Sequence, residues 1–381
     1  MGASLPSSTP VICGPTAGGK SDLAVDLALS LRARHGIMAE IVTADAFQVY
    51  RGLDIGTAKP TVEERRGVVH HLIDIVPGVP SPGSPALRAG RPDSSGSESR
   101  TTQIFTLDDW LRLAKQTIAD LRARNFLPIV VGGTHLYVKG LLEGLFEGPE
   151  PDHALRAELA AMDPAARRAE LERVDPAAAA RIHPNDVRRT VRALEVFRLT
   201  GTPISSHQSQ WDRPSIGTHG TLSASEGSDT DTPEQPPLAG AQGAVPEFLL
   251  VVLDWDSEAL SRRINARVKA MMDRGLLDEV RRLVESNAFT PQSAEALGYK
   301  QLIPVVRAAL DASRWPPPEP AVEEAVERIK IETRRFAKNQ RTWLRRLSVT
   351  PGAVRLGARP ADEAGRTHWP ETILTALGLP R

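Results

Sequence analysis

Val11-Ile12-Cys13-Gly14-Pro15-Thr16-Ala17-Gly18-Gly19-Lys20-Ser21-Asp22-Leu23 is the stretch whose reading decides the fold. Three apolar residues end in a glycine-rich turn, and Leu23, Leu27 and Leu31 follow at a four-residue spacing, so it reads strand, loop, helix. The turn satisfies G-x-x-x-x-G-K-[ST] in the strand-to-helix setting that this pattern requires. Glycines let successive backbone amides turn inward on an anion, the helix directs its positive end to the same point, and Lys20 neutralises terminal phosphate charge. Ser21 is placed to put its hydroxyl on a magnesium ion. Gly14, Pro15, Thr16, Ala17, Gly18, Gly19, Lys20 and Ser21 are therefore the expected phosphate-binding residues. By itself the loop leaves a kinase, a GTPase and other transferases open, because each needs the same cradle.

Outward from the loop, further strands are expected at Ile41-Val42-Thr43, at Leu127 to Val131 before Gly132-Gly133, and at Phe248 to Leu253. Leu107, Leu111, Ala114, Ile118 and Leu121 mark one face of an amphipathic helix between the second and third strands. Strands alternating with helices predict an α/β fold of the P-loop NTPase-like kind, a parallel sheet flanked by helices on both faces. Residues 151–204 carry only helical patterns, rich in alanine and arginine, and read as an inserted all-helical domain. After Phe248 one strand and then helices are expected, with Leu260, Ile264, Val268 and Met271 at helical spacing. The catalytic core is thus expected at residues 8–150 and 247–348, with a tail at 349–381. Residues 77–102 and 205–246 are dominated by serine, glycine, proline and threonine; too poor in apolar surface to offset chain entropy, they read as flexible insertions.

The 381 residues include 47 lysines and arginines against 47 aspartates and glutamates, so attraction to nucleic acid has to come from local clustering. Cys13 is the only cysteine, which excludes an intramolecular disulfide and a multi-cysteine zinc site and fits a reducing, cytoplasmic setting. It lies in an apolar run and reads as an inert core residue. No apolar run approaches the roughly 18 to 20 residues that cross a bilayer, and residues 1–10 lack the order of a signal peptide, so no membrane partner is expected.

Asp45 falls at the carboxyl end of the second strand, where sites in open α/β sheets gather. A carboxylate there can accept a proton, bind magnesium or cap the next turn. Downstream stand Asp54-Ile55-Gly56-Thr57-Ala58-Lys59-Pro60, His70-His71-Leu72-Ile73-Asp74, Val131-Gly132-Gly133-Thr134 with Leu136-Tyr137, His183-Pro184-Asn185-Asp186, Arg192-Ala193-Leu194-Glu195-Val196 and Leu297-Gly298-Tyr299-Lys300. Taken in order with the phosphate loop and Asp45 to Tyr50, these blocks make the sequence resemble the tRNA dimethylallyltransferases from about Pro10 to about Arg346.

The resemblance implies a loop that holds dimethylallyl diphosphate, and transfer of its five-carbon group to the exocyclic amine of the adenine 3′ of the anticodon. Lys20, Ser21 and magnesium would stabilise charge growing on the leaving diphosphate, with Thr16 near the breaking bond. Asp45 would take the amine's proton. Ala46, Phe47 and Gln48 would touch the target base, while Thr134 and Arg156 would contact tRNA, with the inserted helical domain as a tRNA-binding element. Arg188, Arg189, Thr190, Val191 and Arg192 fall on a predicted helix whose apolar face is Val187, Val191 and Leu194, and the family places RNA contacts there. Glu295, Ala296, Leu297, Gly298, Tyr299 and Lys300 match another tRNA-contacting segment. Arg267 is favoured as the diphosphate arginine, with Arg263, one turn away, as the alternative.

Arg328, Lys330, Arg334, Arg335, Lys338, Arg341, Arg345 and Arg346 concentrate positive charge, which reads either as a phosphate-backbone contact or as a solvated basic helix. The expected partners are the tRNA anticodon stem-loop and dimethylallyl diphosphate, acting on a monomer. Gly18 departs from the serine usual in the family loop, and Ala44 and Ala46 from the small hydroxyl residues that usually flank the aspartate.

Overall fold

The structure is a computed structural model that describes residues 4–77, 105–144, 148–207, 247–358 and 368–380. By contacts the chain divides into two compact units, residues 1–141 with 217–381, and residues 142–216. Most of both expected insertions lies outside the described residues, although residues 205–207 belong to a short helix.

The larger unit is built on β1 (Thr9–Cys13), β2 (Ala39–Ala44), β3 (His70–His71), β4 (Leu127–Gly132), β5 (Phe248–Trp255) and β6 (Val354–Ala358). They form one sheet in the order β3-β2-β4-β1-β5-β6, and every pairing is parallel. β1, β2 and β4 are buried along their whole length, which explains why these segments read as continuous apolar runs and not as alternating ones. Helix α1 (Lys20–His35) buries Leu23, Leu27 and Leu31 as the spacing predicts. Its first residue follows Gly19 at φ 79°, a left-handed backbone that glycine adopts without a Cβ penalty. A short helix, α2 (Val62–Arg65), precedes β3, and α3 (Leu107–Ala123) buries Leu111, Ala114, Ile118 and Leu121. α4 (His135–Glu143) follows β4.

The predicted tail is corrected by the structure. Residues 354–358 pair with β5 as the sheet's edge strand, so two strands follow Phe248, not one. Short strands at an edge carry too few residues to stand out in a sequence.

In the smaller unit, α5 (His153–Ala161), α6 (Pro164–Val174), α7 (Pro176–Arg181), α8 (Val187–Thr200) and α9 (Ile204–His207) surround Leu159, Leu171, Ala178, Leu194 and Val196. The carboxylates of Asp152, Asp163, Asp175 and Asp186 cap the first four of these helices, and proline opens α6 and α7.

After β5, the larger unit continues with α10 (Ser257–Asp273), α11 (Leu276–Glu285), α12 (Tyr299–Asp311) and the long α13 (Glu319–Leu347), which pack on one another. α14 (Trp369–Ala376) packs on α1 and β6. No described helix is long and apolar enough to cross a membrane.

Candidate active site

The carboxyl ends of β1, β2 and β4 converge because parallel strands expose their last residues on one side, and Gly132 is what lets them close up. A Cβ there would stand 2.0 Å from the Ala44 carbonyl oxygen, so only glycine admits this approach. At these ends lies a cavity of about 440 Å³ whose lining includes Thr16, Lys20, Ser21, Asp45 and Arg267.

The phosphate loop is tied down from several elements distant in sequence. Lys20 Nζ donates to the Pro15 carbonyl at 2.8 Å. The Thr16 amide donates to Gln340 Oε1 at 2.7 Å, and Gln340 Nε2 donates to the Gly133 carbonyl at 2.9 Å, so one side chain of α13 bridges the loop and the end of β4. Trp255 Nε1 donates to the Gly18 carbonyl at 3.0 Å. A Cβ at Gly18 would meet the Pro15 carbonyl oxygen at 2.8 Å and Trp255 Nε1 at 3.3 Å, which gives a physical reason for glycine beneath this indole.

Both candidate arginines reach the loop by different atoms. Arg267 Nη2 donates to Thr16 Oγ1 at 2.5 Å and lines the cavity, leaving its buried Nε without a partner. Arg263 Nε donates to the Ala17 carbonyl at 2.8 Å, with its guanidinium 4.8 Å from the centre of the Trp255 ring. Arg267 therefore faces the cavity, whereas Arg263 braces the loop. Burial lowers the Lys20 ammonium to about 8, assisted by the nearby Arg267 and opposed by Asp45. Burial likewise lowers Arg267 to about 10, again opposed by Asp45. Lys20 and Arg267 thus stand close together in poorly solvated surroundings, offset by Asp45, an arrangement that an incoming polyanion relieves.

Asp45 does cap its turn: Oδ1 accepts from the amides of Phe47 at 2.9 Å and Gln48 at 3.2 Å. This fixes the carboxylate at the cavity and leaves Oδ2 without a hydrogen-bond partner among the described residues. The capping and proton-accepting roles are compatible because they use different oxygens. Thr134 Oγ1 accepts from the Ala46 amide at 3.1 Å, so Thr134 holds the Asp45 turn. Gln48 is buried and donates to the carbonyls of Thr57 at 3.1 Å and Ala58 at 3.2 Å, while Phe47 stays partly buried on the cavity wall.

The Asp54–Pro60 block continues this wall with Gly56, Thr57, Ala58 and Pro60 and is held from behind. Glu279, buried on α11, accepts from the amides of Ile55 and Gly56 at 3.0 and 3.3 Å, and from the Tyr299 hydroxyl at 2.5 Å. Lys59, also buried, binds the carboxylates of Asp54 and Asp74. Tyr299, expected among RNA contacts, is wholly buried with its hydroxyl turned inward, which corrects its side chain from that role. Ala296 is buried but lines the cavity. Glu295, Leu297 and Gly298 line the cavity, and Lys300 pairs with Glu295 at 2.7 Å.

In the helical unit, Thr190 and Val191 are buried in its core, so their side chains are likewise corrected from an RNA-facing role; Val187, expected on the apolar face, is exposed. Arg156 and Arg192 converge on the fully buried Glu195 at 2.8 and 2.6 Å. Burial alone would raise this carboxyl, but hydrogen bonds from Arg156, Arg192 and the Asp152 amide hold it below the usual carboxylate range. Arg188 and Arg189 remain exposed.

Gln340 and Trp255 were not among the expected site residues. Their signal was present: Gln340 interrupts a buried stripe of Ala325, Ile329, Thr333, Ala337, Leu344 and Leu347 on α13, and a polar group on an apolar stripe needs a partner.

The family model described as IPP transferase matches residues 48–79 and 99–347. The chain belongs to this family. It is 37% identical to the tRNA dimethylallyltransferase of Pelotomaculum thermopropionicum over 342 residues, 88% of this chain and 87% of that protein. It is 36% identical to tRNA dimethylallyltransferase 1 of Mycobacterium marinum, over 96% of this chain and 97% of that one. Among solved structures, the tRNA isopentenylpyrophosphate transferase of Bacillus halodurans is similar at a TM-score of 0.57 and 30% identity, covering 98% of this chain and 97% of that one. A eukaryotic dimethylallyltransferase acting on tRNA shares the fold at a TM-score of 0.67 and 24% identity, covering 98% of this chain and 80% of its own.

Proposed function

We propose that this IPP transferase family member transfers the dimethylallyl group from dimethylallyl diphosphate to the exocyclic amine of the adenine 3′ of the anticodon in tRNA, releasing diphosphate. The observation that carries the reading is the composition of one cavity. Cations and a phosphate loop stand at one end (Lys20, Arg267, Thr16), a carboxylate on the strand end beside them (Asp45), and Val268, Met271, Ile329 and Phe336 add apolar wall that suits a five-carbon group.

In this reading the allylic carbon-to-oxygen bond breaks as the adenine nitrogen bonds to the carbon. Lys20 and Arg267 take up the charge left on diphosphate, and Thr16, already hydrogen-bonded to Arg267, lies beside the bridging oxygen. The proton shed by the amine goes to Asp45, through the oxygen not engaged in capping. Phe47 and Gln48 shape the base's side of the cavity.

Magnesium fits the donors present, because the hydroxyls of Thr16, Ser21 and Thr43 and the Asp45 carboxylate are hard oxygens lining the cavity, and Thr43 Oγ1 is buried without a partner. Ser21 would hold the ion, which when bound supplies positive charge to the diphosphate oxygens. The single buried cysteine is compatible with the cytoplasm.

The test uses purified protein, dimethylallyl diphosphate labelled in its carbon chain, magnesium and an anticodon stem-loop with adenine 3′ of the anticodon. Label is expected in the RNA, with one diphosphate released per group transferred. Unlabelled RNA together with phosphate transfer from a nucleoside triphosphate to a small molecule would instead establish a kinase.

A further inference from the structure

A threonine inside a helix commonly satisfies its hydroxyl by donating to the carbonyl four residues earlier. Thr117, Thr190, Thr200, Thr342, Thr372 and Thr375 all do so, at 2.7 to 3.3 Å. Thr333 of α13 is the exception among the described helices. Its Oγ1 makes no hydrogen bond among the described residues, although the residue is only 4% exposed and lines the catalytic cavity. A buried hydroxyl that forgoes its own helix on a cavity wall is costly until something in the cavity meets it.

The neighbours of Thr333 indicate what that is. Ile329 and Phe336, four residues before it and three after, share its face of α13, and Val268 and Met271 stand on α10, which packs against α13. These are the residues of the apolar wall assigned above to the five-carbon group, and Thr333 sets one hydroxyl among them. Gln340, which holds the phosphate loop, lies seven residues further on, about 10 Å along the helix. Thr333 therefore stands apart from the diphosphate cradle and on the side of the hydrocarbon chain. A dimethylallyl chain presents only C–H bonds there and leaves Oγ1 unmet. A hydroxyl on one of its methyl carbons would complete it, since each hydroxyl can donate and accept.

We infer that this wall selects an allylic five-carbon diphosphate carrying a hydroxyl on a methyl carbon, and that Thr333 is the residue that recognises the hydroxyl. This rests on the reading of an allylic donor above and names the member of that class that fits the wall best. The bonds balance as they do for the dimethylallyl group. The adenine nitrogen bonds to the allylic carbon, the carbon-to-oxygen bond breaks, diphosphate leaves with that electron pair, and the amine's proton passes to Asp45. The donor's hydroxyl is carried unchanged into the product.

The test compares 4-hydroxy-3-methylbut-2-enyl diphosphate, as its E and Z isomers, with dimethylallyl diphosphate on one anticodon stem-loop. It uses the full chain, Thr333→Val, which replaces the hydroxyl by a methyl group, and Thr333→Ser, which keeps a hydroxyl. In the parent, kcat/KM for one hydroxylated isomer is expected to exceed that for dimethylallyl diphosphate by about fivefold or more, the worth of one buried hydrogen bond. Thr333→Val should lower transfer from that isomer by about tenfold and leave dimethylallyl transfer within about twofold, which also shows that the variant is folded. Thr333→Ser should keep the preference. The inference is overturned if the parent prefers neither isomer, if Thr333→Val slows both kinds of donor alike, as the loss of a hydroxyl that only holds water would, or if Thr333→Ser loses the preference as fully as Thr333→Val. A parent that uses dimethylallyl diphosphate alone overturns this inference and leaves the proposed reaction standing; a parent that transfers neither group overturns both.

Discussion

Lys20 shows how a single side chain links burial to function. Its ammonium is lowered from 10.5 to about 8, so it is charged and able to hold diphosphate below that pH and increasingly neutral above it. kcat/KM for dimethylallyl diphosphate should therefore fall as pH rises through about 8, which initial rates at limiting diphosphate will show. The sign for folding is opposite. The unfolded chain keeps this proton to about 10.5 while the folded chain gives it up near 8, so the group's contribution to unliganded stability grows over that interval as pH rises and is lost as pH falls through about 8. Asp45 separates two roles by substitution. Asp45→Asn keeps an oxygen for the Phe47 and Gln48 amides but cannot take a proton, so single-turnover transfer should slow by about 10² to 10⁴ while RNA binding and Tm hold. Asp45→Ala loses the cap as well, at a further cost of about 1 kcal/mol in denaturant melts. Both residues were legible in the sequence because loop pattern and strand end are local features. Gln340 was not, because its partner Thr16 lies 324 residues away and only packing brings them together.

Among the elements, α13 carries Gln340 to the phosphate loop and the end of β4, and Gln340→Ala would leave the Thr16 amide and the Gly133 carbonyl unsatisfied. The expected loss is about 1 to 3 kcal/mol in chemical denaturation, with a several-fold rise in the KM for dimethylallyl diphosphate. Buried strands were readable as short continuous apolar runs and amphipathic helices from their periodicity, as β1 and α3 show. The role of the Asp54–Pro60 and Leu297–Lys300 blocks was not, because their family resemblance marks them as important without saying whether they face substrate or core. Glu279 resolves this by gathering the Ile55 and Gly56 amides and the Tyr299 hydroxyl at one buried carboxylate. Burial likewise separates Thr190 and Val191, which build α8's core face, from exposed Arg188 and Arg189.

At the scale of the molecule, the stretch read as a tail completes the catalytic unit. β6 extends the sheet beside β5, and buried Trp369 on α14 meets Trp255 edge-on at 6.5 Å, behind the indole that holds the Gly18 carbonyl. Trp369→Ala should cost about 3 to 5 kcal/mol in denaturant melts and weaken diphosphate binding through the loop. The parallel sheet itself followed from the alternation of strands and helices; its sixth strand did not, since Val354–Ala358 is short and pairs only at the edge. The central claim is that this scaffold brings an allylic diphosphate to an adenine amine. It is tested most directly by comparing two stem-loops that differ only in the base 3′ of the anticodon, adenine in one and purine, which lacks the exocyclic amine, in the other. Transfer of the labelled five-carbon group to the adenine RNA and none to the purine RNA is the predicted result; equal labelling of both, or of neither, would contradict it.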